Sequence, residues 1–122
     1  MTSPQRQDLC ERALEFAHSV MSFCGSLERF GGRHAHIASQ LFEAASSIGA
    51  NLEEGQAAGS RKDMAAKYAI SLREARESRY WLRLAAKDTR FASDAAPLTD
   101  EATAFVRMLT VSVRRLRETP EP

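Results

Sequence analysis

Three short patterns in this sequence combine residue types that bind metals or phosphates in other proteins. Glu15 and His18 have the Glu-x-x-His spacing of helical di-iron sites, but such a site needs a second copy and two further inward carboxylates. His34 and His36 lie two residues apart without the Cys or acidic companions of a zinc site. Residues 59–63, GSRKD, lack the Lys-Ser/Thr pair of a phosphate-binding loop. We therefore predict no metal and no cofactor.

A fourth pattern places polar side chains on the apolar faces of two predicted helices. Asn51 lies where the helical spacing favours an apolar residue. Its amide needs a hydrogen-bond partner, which favours a structural role in aligning packed helices. The hydroxyl of Ser71 or Ser78 is the predicted partner, and Glu54 and Glu74 would extend the network. No His or Cys shares these faces to act as a base or a nucleophile, so we predict that the protein is not an enzyme.

The elements that must position these side chains are helices, because apolar residues recur at alternating four- and three-residue spacing in four segments. We predict helices over about residues 4–30, 34–58, 61–88 and 100–118. The apolar stripe of the second helix is Ile37, Leu41, Ala44, Ile48, Asn51 and Gly55. That of the third is Met64, Tyr68, Ser71, Ala75, Ser78, Leu82 and Ala85.

The ends of the last two helices carry recognisable signals. Ser60 followed by Asp63 has the spacing of a capping box at the start of the third helix. Residues 89–98, which include Pro97, are predicted to form a loop. Thr99 is then the predicted cap of the fourth helix.

These elements predict one all-α domain over residues 1–122. No segment alternates apolar and polar residues over a useful length, so strands are not expected. Because the connections between the first three helices are short, consecutive helices should be antiparallel, giving an up-down-up-down four-helix bundle.

The first and third helices also carry apolar residues away from their stripes, where a four-helix core does not use them. These are Cys10, Leu14, Ala17 and Met21 on the first helix, and Ile70, Trp81 and Leu84 on the third. The surplus predicts a second contact surface, most simply with another copy of the chain. A wide stripe within one bundle is the alternative explanation.

The sequence QLFEAASSIGANLEEG, from Gln40 to Gly55, followed by AISLREARE, from Ala69 to Glu77, resembles a known family. It is similar to the small bacterial four-helix bundle proteins encoded within intervening sequences of large-subunit ribosomal RNA genes. That family in turn resembles accessory proteins of diversity-generating retroelements. The positions that match are Gln40, Ser47, Ile48, Asn51, Glu54, Gly55, Ser71 and Glu74.

The resemblance implies a homopentameric barrel of four-helix protomers. In the retroelement branch it also implies a basic surface that binds nucleic acid and a reverse transcriptase. The chain departs from the family pattern between the first two helices, where it reads FGGRHAH instead of carrying a Pro and an acidic residue.

Charge is unevenly distributed along the chain. Residues 61–90 hold nine Lys or Arg against four acidic residues, a balance of +5, although the whole chain carries only +1. At about 100° per residue, six cations of this segment fall within roughly one third of a helix circumference. They are Arg73, Arg76, Arg79, Arg83, Lys87 and Arg90. We name them the predicted basic stripe, which is suited to phosphate contacts, although Glu74 and Glu77 could pair with it and leave only a solvated face.

The function predicted from these features is a nucleic-acid-binding or adaptor subunit that acts through the predicted basic stripe. No aromatic stacking platform is expected beside the cations, so binding should be directed at the nucleic-acid backbone, of RNA or DNA. The alternative is a protein–protein interaction module without nucleic-acid affinity. The chain has no apolar run of about 20 residues and no secretory signal, so a cytoplasmic location without membrane contact is expected.

Overall fold

A computed structural model describes residues 4–118 of the chain, with their side chains from residue 9 onward. Within this range the protein consists of four helices and no strand: α1 Pro4–Glu28, α2 Gly32–Gln56, α3 Arg61–Ala86 and α4 Thr89–Glu118. None of the helices in the described range is long and apolar enough to cross a membrane. The predicted all-α fold is confirmed.

Contacts between the helices show that each helix runs antiparallel to the next and that α4 returns alongside α1. These contacts join Cys24 to Ala38, Ile48 to Ser71, His36 to Trp81, Phe16 to Phe105, and Phe23 to Phe91. Residue numbers rise along one helix as they fall along its neighbour, which is the up-down-up-down arrangement. One hydrophobic cluster draws on all four helices.

Short connections between helices depend on local backbone chemistry. Gly31 has φ 62° and ψ −164°, a conformation that is essentially restricted to glycine, and it ends the turn between α1 and α2. At the start of α3, the Ser60 hydroxyl accepts a hydrogen bond from the backbone N–H of Asp63 at 3.1 Å. This confirms the predicted cap.

The predicted loop over residues 89–98 is wrong, because α4 already begins at Thr89 and passes through Pro97. Asp88 caps this helix: its Oδ1 accepts the backbone N–H of Arg90 at 3.1 Å. The hydroxyl of Thr99, the predicted cap, instead donates to the carbonyl of Ala95 within the helix at 2.9 Å.

The extension of α4 has a packing reason. Buried or half-buried apolar residues continue through the supposed loop at alternating four- and three-residue spacing: Phe91, Ala95, Leu98, Ala102, Phe105 and Leu109. Burial of this stripe outweighs the cost of Pro97, whose missing N–H leaves only the carbonyl of the exposed Ser93 without its helical partner.

The buried stripe of α2 also differs from the prediction at two positions. Ala38 is buried, whereas the predicted stripe residue Ile37 is half-buried. Leu52 is 0% exposed, whereas its neighbour Asn51 is only half-buried. The Asn51 Nδ2 donates to the carbonyl of Ser47 on the same helix at 2.9 Å, so its amide does not align α2 with another helix. The predicted stripe of α3 is confirmed, since all seven of its residues are buried.

Close approach of α2 and α3 depends on small residues. A Cβ added at Gly55 would lie 2.6 Å from the ring of Tyr68, which leaves no room for a larger residue. Ser71 and Ser78 are both 0% exposed and occupy little volume in the same interface region of α3. By contrast, the aromatic rings of Phe16 and Phe105 fill the space between α1 and α4, with centroids 5.6 Å apart.

Candidate nucleic-acid interface

Four of the six residues of the predicted basic stripe lie on α3, and Lys87 follows directly as its C-cap. The side chains of Arg73, Arg76, Arg83 and Lys87 are exposed, and Arg79 is half-buried on the side that faces α4. Because the buried stripe of α3 centres on Ser71 and Leu82, the exposed cations occupy the opposite side of the helix.

Arg90 does not belong to this surface. It lies in the first turn of α4, where its Nε and Nη2 donate to the two carboxylate oxygens of Asp88 at 3.0 and 2.6 Å. Its guanidinium stacks on the ring of Phe30, 4.1 Å from the centroid. Hydrogen bonds from Arg90, and from His34 at 2.9 Å, hold the pKa of the Asp88 carboxyl well below its usual range. Arg90 therefore ties the two connections at this end of the bundle together.

The remaining cations are largely unneutralised. Arg73 has a loose contact with Glu74, with 3.8 Å between Nε and Oε1. Within the described part of the chain, Arg76, Arg83 and Lys87 form no ion pair. Pairing with the acidic residues of α3, which the sequence left open, therefore does not account for these charges.

An exposed aromatic side chain, which was not predicted from the sequence, lies among the cations. Tyr80 is 58% exposed and Leu84 is 41% exposed, on the same side of α3 as the unpaired charges. Tyr80 follows Arg76 by four residues and precedes Arg83 by three, so it lies between them on the helix surface. The expectation of cations without an aromatic neighbour was therefore wrong. The signal is present in the sequence, because Tyr80 has the helical spacing that places it on the same side as the arginines.

We call the surface formed by these residues the outer face of α3: Arg73, Arg76, Tyr80, Arg83, Leu84 and Lys87. Beside it, a shallow depression of about 360 Å³ runs between α3 and α4. Arg83 and Lys87 line one wall, and the small side chains of Ala92 and Ala96 line the other. A phosphate backbone following this depression would meet two cations and also the carboxylate of Asp100, which lines the same depression.

The predicted polar network does not form as one unit. The Ser71 hydroxyl donates to the carbonyl of Ile48 across the α2–α3 interface at 2.8 Å, and that of Ser78 donates to the carbonyl of Glu74 at 2.8 Å. Glu54 is exposed. Burial, and then the nearby charge of Glu77, raises the pKa of the Glu74 carboxyl. Ser71 is thus the member of the set that joins two helices.

A second surface runs along the other side of the bundle, between α1 and α2. Leu14, Met21 and Phe42 are 58, 52 and 39% exposed there. They line a depression of about 590 Å³, together with half-buried Cys10 and Ala17, and a second one of about 580 Å³ continues beyond Met21 and Phe42. We call this surface the α1/α2 groove.

The surplus apolar residues thus have different surroundings, and one of them, Leu84, is exposed on the outer face of α3. Four of them, Cys10, Leu14, Ala17 and Met21, line the α1/α2 groove. Trp81 instead packs within the protomer, with its ring centroid 6.0 Å from that of His36 on α2. A wide stripe therefore explains Trp81, whereas Leu14 and Met21 on α1 remain largely exposed.

The residues considered as metal ligands have different surroundings in the structure. Glu15 and His18 line the α1/α2 groove, and His34 is bonded to Asp88. Among the described residues, no group of three or more His, Cys, Asp or Glu side chains is arranged to hold a metal ion. Burial raises the pKa of the Cys24 thiol to about 11, and its sulfur donates to a backbone carbonyl, so it behaves as a buried apolar residue.

Comparison with known proteins places the chain among relatives of the same architecture. The model of the 23S rRNA-intervening sequence protein family matches residues 5–111. The chain belongs to this family. The resemblance carried by the segment from Gln40 to Gly55 is thereby confirmed.

A solved structure supports the same assignment to the intervening-sequence family. It is a protein with unknown function from the S23 ribosomal protein family of Bacteroides thetaiotaomicron. The TM-score is 0.79 at 26% sequence identity, and the match covers 87% of this chain and 98% of that chain. No curated protein matches.

Proposed function

We propose that this member of the intervening-sequence family is a non-enzymatic, homo-oligomeric bundle that binds nucleic acid, or acts as an adaptor on it, through the outer face of α3. The observation that carries the proposal is the set of exposed cations without acidic partners in the described part of the chain: Arg76, Arg83 and Lys87. A phosphate backbone is the polyanion that fits such a surface, because arginine donates two parallel hydrogen bonds to one phosphate.

The surroundings of the nearby acidic residues support the assignment of these charges to a ligand. Surface arginines usually gain little from ion pairs but often form them with neighbouring acids. On α3 the nearest acids are otherwise engaged: Glu77 accepts from the indole N–H of Trp81 at 3.4 Å, and Glu74 is largely shielded from solvent. The cations are left facing solvent.

Self-association is the second part of the proposal. The exposed side chains of Leu14, Met21 and Phe42 in the α1/α2 groove form an apolar surface that a second copy of the chain would cover. The family resemblance implies a pentamer. Such an assembly would present several copies of the outer face of α3, and repeated weak contacts with one nucleic acid raise the overall affinity.

An alternative function is also favoured by the α1/α2 groove. If the groove docks a different protein, the chain is an interaction module, and a reverse transcriptase is the partner that the retroelement resemblance implies. Docking of this kind would rest on apolar contacts and would change little with salt, unlike binding through phosphates. A cytoplasmic location suits either role.

The experiment that tests the proposal is a titration of labelled structured RNA and duplex DNA with the purified protein, followed by fluorescence anisotropy. The test variant is Arg76→Glu/Arg83→Glu. The matched control is Arg114→Glu/Arg117→Glu, which makes the same charge change at exposed positions at the far end of α4. We expect the test variant to bind at least about 100-fold more weakly than the wild type, because two attractive contacts become repulsive.

The control should lose less than about tenfold, through the change in net charge alone. Equal losses in the two variants would show that only the overall charge matters and would contradict a site on α3. Flat titrations for the wild-type protein would leave the interaction module as the better function.

A further inference from the structure

An exposed tyrosine lies at the centre of the outer face of α3. Tyr80 is flanked by Arg76 one turn before it and by Arg83 one turn after it, and Arg73 and Lys87 lie two turns away on the same side. Its side chain is 58% exposed, so the fold does not use most of the ring. A large aromatic surface surrounded by positive charge is unsuited to packing against another apolar protein surface.

The ring of Tyr80 contacts one aromatic neighbour, Trp81. The centroids of Tyr80 and Trp81 are 5.3 Å apart with the planes at 80°. Trp81 is itself fixed, since its ring meets that of His36 on α2 and its indole N–H reaches Glu77. The chain therefore supports Tyr80 from one edge while the rest of the ring faces solvent.

We propose that Tyr80 is a stacking platform for an unpaired base, so that the outer face of α3 selects single-stranded or looped nucleic acid over a continuous duplex. This inference rests on the proposed function. A base inside a duplex has both faces covered by its neighbours, whereas an unpaired base can lie against a tyrosine ring. Cations one turn away on either side would then hold the phosphates that flank that base.

The combination of ring and charges is what favours this ligand. A duplex presents phosphates, sugars and base edges but no base face along its length, so cations can bind its phosphates while a tyrosine ring finds no stacking partner there. The exposed ring adds a contact that only an unstacked base can use, because stacking requires access to the face of the base. Every base has such a face, so Tyr80 would distinguish unpaired from paired nucleic acid and would distinguish little between the four bases.

The test compares an unpaired oligonucleotide of about twelve residues with a blunt duplex of the same length. Binding is followed by anisotropy and by the emission of Trp81, the single tryptophan of the chain, whose ring lies 5.3 Å from Tyr80. We expect Tyr80→Ala to weaken binding of the unpaired strand about tenfold and to weaken duplex binding less than about twofold. Tyr80→Phe keeps the ring and should retain the affinity.

Val111→Ala is the matched control, because Val111 is also an exposed apolar residue, at 42%, but lies on α4. It should leave both affinities unchanged. If Tyr80→Ala weakens binding to both ligands equally, or to neither, while Arg76→Glu/Arg83→Glu still abolishes binding, the stacking platform is wrong and the proposed function stands. If the wild-type protein binds neither ligand, both proposals fail together.

Discussion

The helices α1 and α3 are built in opposite ways. The core side of α3 is small in its middle, at Ser71, Ala75 and Ser78, and its outer side carries arginines around Tyr80. The core side of α1 carries the large rings of Phe16 and Phe23, and its outer edge exposes apolar side chains in the α1/α2 groove. The two helices belong to one core but present different chemistry outward.

The outer side of α3 is charged and the outer edge of α1 is apolar, and the two surfaces suit different kinds of partner. Small core residues let α3 lie close to its neighbours, which fixes the helix that carries the charged face. The aromatic rings between α1 and α4 keep those helices apart, and the apolar edge of α1 stays exposed. Charged and apolar surfaces are thus placed on opposite sides of the bundle, so that under the proposed function the binding of a nucleic acid would not compete with self-association.

The largest effect on stability is expected in the aromatic interface of α1. Phe16 is 3% exposed and packs on Phe105. Phe16→Ala should lower the free energy of unfolding by about 3–5 kcal/mol, through lost burial and the cavity left behind. Urea denaturation measures this, with Leu14→Ala as the exposed control on the same helix, expected to change stability by less than about 0.5 kcal/mol. Similar losses in the two variants would contradict the distinction between the two sides of α1.

A smaller effect is expected where α3 approaches α2. Gly55→Ala places a methyl group against the ring of Tyr68, and the displacement should cost about 1–3 kcal/mol. Gly59→Ala is the control, because a Cβ added there meets nothing within 4 Å. Denaturant unfolding measures both variants. If Gly55→Ala is as stable as the control, the Tyr68 ring moves aside at little cost and the close contact does not limit the interface.

Changing the outer edge of α1 should leave stability nearly unaltered and change the size of the particle. Leu14→Gln/Met21→Gln removes apolar contacts from the α1/α2 groove without touching the core. We expect a fall in molar mass by light scattering, with unfolding of the protomer shifted by less than about 1 kcal/mol. A mass equal to that of the wild type would place self-association elsewhere and leave the groove to a different protein.

The smallest effect concerns pH at the end of the bundle where Arg90 lies. The pKa of Asp88 is lowered in the folded protein, so below about pH 4, the ordinary value for an aspartate, the unfolded chain binds more protons. The stability supplied by this carboxylate is therefore present above that pH and is lost as the pH falls. Asp88→Asn retains a good helix cap and should give a shallower loss in acid-induced unfolding. An unchanged acid profile would show that the pair with Arg90 adds nothing.

Much of this architecture could be predicted from the sequence, because burial follows the helical period. All seven predicted stripe residues of α3 are buried, and the cap at Ser60 is present. The errors arose where one local signal was given too much weight. Pro97 indicated a loop although the apolar spacing continued past it, and Asn51 was placed in the core although Leu52 fits the same spacing.

The candidate site was less predictable for a physical reason. Spacing shows which charges share a side of a helix, and it grouped Arg73, Arg76 and Arg83, which are exposed, with Arg79, which is half-buried. It does not show which charge a neighbouring element neutralises, so Arg90, which Asp88 engages at the start of α4, was wrongly grouped with them. Whether Tyr80 is a core residue or a surface residue likewise depends on its side-chain exposure, which helical spacing alone does not give.

The measurement that tests the central claim most directly is the salt dependence of binding to an unpaired RNA. If the outer face of α3 contacts phosphates, the logarithm of the binding constant should fall linearly with the logarithm of the salt concentration. Arg76→Gln should reduce the slope by about 0.7 for each protomer that contacts the strand, and Arg114→Gln should leave it unchanged. A slope that is the same for the wild type and Arg76→Gln would contradict the assignment of nucleic-acid binding to α3.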